Sequence, residues 1–218
     1  DLGTKKILKF DAAGEFQKSS QLDFQAMHIT PYTDHQLAVL GLNDDQIIHV
    51  YDMDGGHLFS FGEPFEVPSS LSQYKEMPML KAPMRFDGNG TGRLFCLNPH
   101  KYEVRIYQDG KLERTVSGKS ENFEPLFIGK SDQGGLGLLF PTLYIFEYKE
   151  FLYAGIRGLG RDPVHHLDIF QGDEKTASLS GTGLPYAIDN QGRLYFSMED
   201  EYPRMVRCQI INTPTVSR

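Results

Sequence analysis

One short pattern recurs along the chain and restricts it to a repeat architecture. Each copy is an alternating strand that ends on an aromatic residue, then a tight turn carrying glycine, then a further strand. It reads Ile7-Leu8-Lys9-Phe10-Asp11-Ala12-Ala13-Gly14 and His49-Val50-Tyr51-Asp52-Met53-Asp54-Gly55. It returns as Val104-Arg105-Ile106-Tyr107-Gln108-Asp109-Gly110 and Leu167-Asp168-Ile169-Phe170-Gln171-Gly172-Asp173. A degenerate fifth copy is Met205-Val206-Arg207-Cys208-Gln209. Asp-Gly and related pairs accept the positive φ that two-residue hairpin turns demand, so the repeated element is a hairpin.

A second strand precedes each of the last four copies: Leu37-Ala38-Val39-Leu40, Leu94-Phe95-Cys96-Leu97, Leu152-Tyr153-Ala154-Gly155 and Leu194-Tyr195-Phe196-Ser197. The offset from its leucine to the aromatic (or Cys208) is 14, 13, 18 and 14 residues. A strand also leads in, and Pro83 to Phe95 parallels Pro185 to Tyr195. The two prolines lie 102 residues apart, or two modules of about 50 each. A fourth strand follows each hairpin at Glu15 to Ser20, His57 to Phe61, Lys111 to Val116 and Glu174 to Leu179. No helical period is sustained; Leu71 to Met77 reads as one short turn. The unit is thus four antiparallel strands, repeated. Such units in tandem predict an all-β chain, a β-propeller of four-stranded antiparallel blades, because one unit cannot bury both its faces alone. The blade parts fall at about 5–21, 22–64, 81–118, 141–181 and 184–211 within a single domain.

Composition narrows the partners. The net charge is −7 with no Lys/Arg block, which argues against nucleic acid. The longest apolar stretch, Leu136 to Phe146, is too short to span a membrane and is broken by Gly137 and Pro141. No leader peptide is evident, so the expectation is a cytosolic or an already trimmed chain. Cys96 and Cys208 sit in separate modules within apolar strands and read as buried free thiols.

The Pro–strand–Asp-x-x-Gly-Arg-Leu-Tyr lead and the Tyr-Asp-x-Asp-Gly hairpin resemble the NHL and TolB-like six-bladed propellers. Lys101 to Leu112 and the Phe61-Gly62-Glu63-Pro64 exit resemble the exported six-bladed β-propeller proteins of Bacteroidetes-type bacteria. This resemblance implies a periplasmic or cell-surface location, with room for a lipid anchor ahead of the first residue. It specifies fold rather than activity, since relatives include scaffolds, sensors, lactonases and lyases. Five third strands but only four first and second strands can be placed. The expectation is a six-bladed parent with part missing; a five-bladed ring is the alternative.

Antiparallel strands send their connections alternately to opposite ends. Links between strands one and two, and three and four, are short turns. Links between strands two and three, and between blades, include Glu63 to Ala82, Lys119 to Pro141 and Gly155 to His165. The chain therefore has a plain side and an elaborated side, and loops on a rigid frame carry function. The elaborated side holds the candidate binding residues. Arg157 and Arg161 flank a glycine-rich loop and offer forked donors to a carboxylate or phosphate. His165 adjoins His166; neighbours on a strand point apart, so no shared metal is expected. Asp44 and Glu199 occupy equivalent links and form an acidic rim. Tyr102 and Tyr202, with Tyr74, offer aromatic area to a partner.

Asp87 to Gly92 looks like half a calcium loop, but the twelfth position is Asn98. Turn chemistry explains it, so no cofactor is expected, calcium being the only ion left open. No nucleophile elbow or His-Glu-x-x-His occurs, and no catalytic residue is assigned. The Asp residues of the hairpin turns (Asp11, Asp52, Asp109) are read as turn formers. The expected function is a non-enzymatic, extracytoplasmic module that binds a protein, peptide or small molecule. The alternatives are a metal-dependent lactonase- or lyase-like enzyme with its site at a central channel, and a structural ring in a larger assembly.

Overall fold

The computed structural model describes residues 4–82, 86–88, 90–118, 123, 125–130, 136–139, 143–156, 164–181, 183–189, 191–198 and 204–209. The chain is all-β, built of antiparallel sheets. It divides into two compact units, Asp1–Thr115 and Val116–Arg218.

The first unit opens with a hairpin of β1 (Lys6–Phe10) and β2 (Phe16–Gln21). A four-stranded sheet follows, β3 (His28–Thr33), β4 (Gln36–Asn43), β5 (Gln46–Asp52) and β6 (His57–Phe61). A 3-10 turn at Ser69–Tyr74 and a one-turn helix, α1 (Pro78–Lys81), lie in the connection to the next sheet. That sheet comprises β7 (Phe86–Gly88), β8 (Arg93–Leu97), β9 (Glu103–Gln108) and β10 (Lys111–Ser117), whose end crosses the unit boundary. In each four-stranded sheet the strands lie side by side in chain order.

The turns follow from local chemistry. Asp11 Oδ1 accepts from the N–H groups of Ala13 and Glu15, and Asp52 Oδ1 does the same for Asp54 and Gly56. A short carboxylate that bonds the backbone two and four residues on stands in for a turn of main chain. Asp109 and Gly110 both hold positive φ, 51° and 78°, which is the two-residue hairpin geometry that Asp-Gly favours.

Strands β4 and β5 are buried almost end to end because both faces of their sheet are covered. Ala38, Leu40, Ile48 and Val50 join a core with Leu94, Cys96 and Tyr107 of the next sheet. On the opposite face, Val39 and Tyr51 pack with Leu22 and Phe24, and Ile7 of the hairpin reaches the same cluster. Burying each such aliphatic side chain stabilises the fold by about 1.5–3 kcal/mol. The two four-stranded sheets meet at their first strands, β3 beside β7. The Gly92 N–H donates to the Tyr32 carbonyl at 2.7 Å. Tyr32 lies at the end of β3 and Gly92 just before β8, so the two sheets carry their first turns at one end.

The second unit repeats the pattern. Strands β11 (Phe127–Lys130) and β12 (Leu136–Leu139) form a hairpin. Then come a four-stranded sheet of β13 (Leu143–Tyr148), β14 (Phe151–Ile156), β15 (His165–Gln171) and β16 (Glu174–Gly181), and a three-stranded sheet of β17 (Gly183–Ile188), β18 (Arg193–Met198) and β19 (Arg204–Gln209). Phe151, Tyr153, Leu167 and Ile169 pack against Leu194 and Ile188, and β13 lies beside β17. Asp189 repeats the turn device. Burial pulls its carboxyl upward, but the Arg193 backbone and side chain, Gln191 and Tyr195 outweigh that and hold it at about 2.

Two expectations change here. The stretch 119–141, read as a loop, contains the β11–β12 hairpin, whose strands are too short and glycine-rich to alternate visibly. Cys96 is buried, as expected, and its thiol is pushed up by burial, but Cys208 is exposed. Both cysteines are free, and they lie in different units.

Candidate functional site

The most elaborate described connection is the strap of residues 62–82, between β6 and β7. It leaves β6 through Gly62, whose φ of 86° suits glycine alone. A Cβ there would also press on Ile47 at 3.1 Å and Ile48 at 3.3 Å. The neck of the strap is closed by the Phe65 N–H donating to the Lys81 carbonyl at 2.7 Å. Phe65, Leu80 and Ala82 are buried, and Phe65 and Ala82 join the core between the sheets.

Strand β9 and the link before it clamp this neck. The Arg105 guanidinium lies over the Phe65 ring, 4.1 Å from its centroid, and donates to the Glu63 carbonyl at 2.6 Å. A cation over an aromatic face and a bond to a carbonyl together fix the strap's first turn. The His100 Nε2–H donates to the Leu80 carbonyl at 2.7 Å and fixes its last turn. The link itself is braced: the His100 N–H donates to Asn98 Oδ1, and Asn98 Nδ2 donates to Glu103. Burial pulls the Glu103 carboxyl upward, but Lys101, Asn98 and Arg105 outweigh it and keep the group below the ordinary value.

Between the clamped ends, the strap carries partly buried apolar side chains between exposed polar ones. Leu71, Tyr74 and Met77 are spaced by three through consecutive tight turns, and Val67 and Met79 flank them. Residues three apart eclipse one another in 3-10 geometry, so Leu71 and Tyr74 form a row, and Met77 follows in extended backbone just before α1. Tyr74 was expected to offer contact area, and it sits in this row.

The other sequence candidates fare differently. Asp44 is exposed, with φ of 46°, at the tip of the β4–β5 turn. Tyr102 is only 6% exposed, so it closes the 98–102 link against the interior rather than offering its ring to a partner. His165 is 2% exposed at the start of β15, where the sheet covers it. Arg157, Arg161, Glu199 and Tyr202 lie outside the described residues, as do most of the 155–165 loop and Asn89 of the calcium-like run. Asp44, Tyr74 and Tyr102 all belong to the first unit; His165 belongs to the second. No group of three or more His, Cys, Asp or Glu placed to hold a metal occurs among the described residues.

Sequence reasoning missed a pair of buried polar sites. His49 is 1% exposed and Asp168 is 1% exposed. Each stands two residues before the aromatic of its module, and each faces a serine directly across on the fourth strand, Ser60 and Ser178. The Ser178 hydroxyl donates to Asp168 Oδ1 at 2.6 Å, and Lys175 Nζ lies 3.7 Å from Oδ2. Around His49 the donors are forced. The Gly41 carbonyl can only accept, so Nε2 carries the hydrogen at 3.0 Å. Nδ1 then accepts from the Ser60 hydroxyl at 2.7 Å, and Ser60 accepts from His57 Nε2 at 2.8 Å. Aligning the modules would have exposed this position, because His, Arg and Asp fill it in three copies.

No family model and no curated sequence matches the chain. Among solved structures, it is similar to a chain described as a "Putative exported protein" from Bacteroides fragilis, at 11% identity and a TM-score of 0.53. The match covers 91% of this chain and 62% of that one, so the chain spans less than two thirds of its neighbour's length. At this identity the likeness is one of fold alone, and the activity of this chain is argued from its own residues.

Proposed function

We propose that the chain is a β-propeller binding module, acting outside the cytoplasm, that offers its loop-rich ends to a protein or peptide partner. The four-stranded units, their succession in chain order and the meeting of first strand with first strand support the propeller reading. The sequence resemblance to the NHL and TolB-like propellers points the same way. The exported description of the structural neighbour supports the location.

The observation that carries the binding role is the strap. Its two ends are fixed by main-chain and cation–π contacts, while its middle leaves Leu71, Tyr74 and Met77 partly open. A preorganised apolar row loses little entropy on docking, which is what a contact surface needs. A photo-activated cross-linker placed at Tyr74, and another at Ala13 in the β1–β2 turn, tests this in periplasmic extract. The proposal predicts a defined adduct from position 74 and none from position 13. Equal labelling from both, or none from position 74, contradicts it.

A further inference from the structure

We infer that His100 is an acid-sensitive latch on the strap, closed while its imidazole is neutral and released when the ring takes a second proton. The inference deepens the binding reading above and rests on it for its biological meaning.

The geometry leaves the ring one way to respond to acid. Its Nε2–H is committed to the Leu80 carbonyl, so the lone pair is on Nδ1. Nδ1 is buried and has no hydrogen-bond partner. A proton arriving there creates a buried N–H without an acceptor and puts a charge on a half-buried ring, and both are costly. The new Nδ1–H reaches water when the ring withdraws from Leu80. The strap then keeps Phe65–Lys81 and Arg105–Glu63 but loses the tie on its last turn.

Among the described residues, the charges on the elements around His100 offer the new proton no free acceptor. Lys81 on the strap and Lys101 on the link are cations, and Arg105 on β9 is another. The carboxylate on the link's own side, Glu103, already accepts from Lys101 Nζ at 2.8 Å and from Asn98 at 3.2 Å. Strand β4, which packs against α1, carries no ionisable side chain over Gln36–Asn43, and Asp44 and Asp45 follow it in the β4–β5 turn. Burial lowers the affinity of His100 for a proton, and the bond to Leu80 offsets only part of that. The closed state therefore binds the proton more weakly than the open state, whose ring titrates near the ordinary 6.5. Acidification below that value favours opening, by up to about tenfold for each unit between the two pKa values.

Hydrogen exchange read by NMR tests the latch without any partner. The amides of Leu80 and Ala82, bonded to Met77 and Pro78, report the strap's last turn. Between about pH 7.5 and about pH 5.5, corrected for intrinsic chemistry, their opening should rise several-fold. In His100→Gln, which keeps an amide donor for Leu80 but has no proton site, the rise should vanish. Unchanged protection in the natural chain, or the same rise in the variant, overturns the latch. Should the variant fail to fold, the NMR titration of His100 in the natural chain decides: a midpoint below the ordinary value supports the inference, and one at or above it contradicts it. If acid opens the strap while the Tyr74 cross-linker captures nothing, the latch stands and the binding reading falls.

Discussion

His49 shows how a single buried position can make a whole sheet sensitive to acid. Its ring packs at a tilt against Phe24, 4.2 Å between centroids, and both nitrogens are engaged. Burial lowers its proton affinity and His57 adds to that, while the Gly41 and Gln46 backbone bonds and Asp44 pull the other way. The folded value is thus depressed below 6.5 and the unfolded chain takes the proton first. Stability from this group is complete above 6.5 and is lost as pH falls toward the folded value. Urea midpoints for the natural chain should fall on acidification, and His49→Gln should flatten that slope. An unchanged slope in the variant would contradict the assignment. The equivalent site in the second unit behaves differently, because Asp168 depends on the Ser178 hydroxyl. Ser178→Ala leaves a buried carboxylate short of a donor and should cost about 1–3 kcal/mol in urea unfolding. A loss indistinguishable from zero would show that Asp168 does not rely on it.

The strap is the element where local sequence says least and tertiary contacts decide most. Its short turn near Leu71 to Met77 is legible from Pro68 and Pro78, which punctuate the chain. Its fastening is not, since Arg105 and His100 reach it from 42 and 20 residues away. Tyr102 shows the same limit: an aromatic in a polar link reads as exposed until the fold places it inside. Gly62 is the opposite case, a residue whose role follows from its own backbone. Gly62→Ala forces a Cβ into a left-handed conformation and against Ile47, and should destabilise the first unit by about 1–3 kcal/mol. A urea midpoint equal to that of the natural chain would show that the exit from β6 relaxes freely.

Across the molecule, the alternating strands and Asp-Gly turns made the sheets readable, because both signals are local. The two fully covered strands β4 and β5 follow from the continuous apolar run of their modules. The β11–β12 hairpin escaped notice because Gly129, Gly134, Gly135 and Gly137 interrupt any alternation. The candidate site was readable only as a side of the fold, since topology sends links of one class to one end whatever their residues. Within the first unit this sidedness is visible in the bond from Gly92 to Tyr32.

The propeller proposal extends the same sidedness to the whole chain. Paired spin labels measure it directly, with Cys208→Ser as background because Cys96 is buried. Residues 35 and 150 lie in turns between first and second strands of two different four-stranded sheets, and residue 45 lies at the opposite end of the first. A propeller predicts that the 35–150 distance is shorter than the 45–150 distance. The reverse order would place the turns of the two sheets at opposite ends and contradict the account.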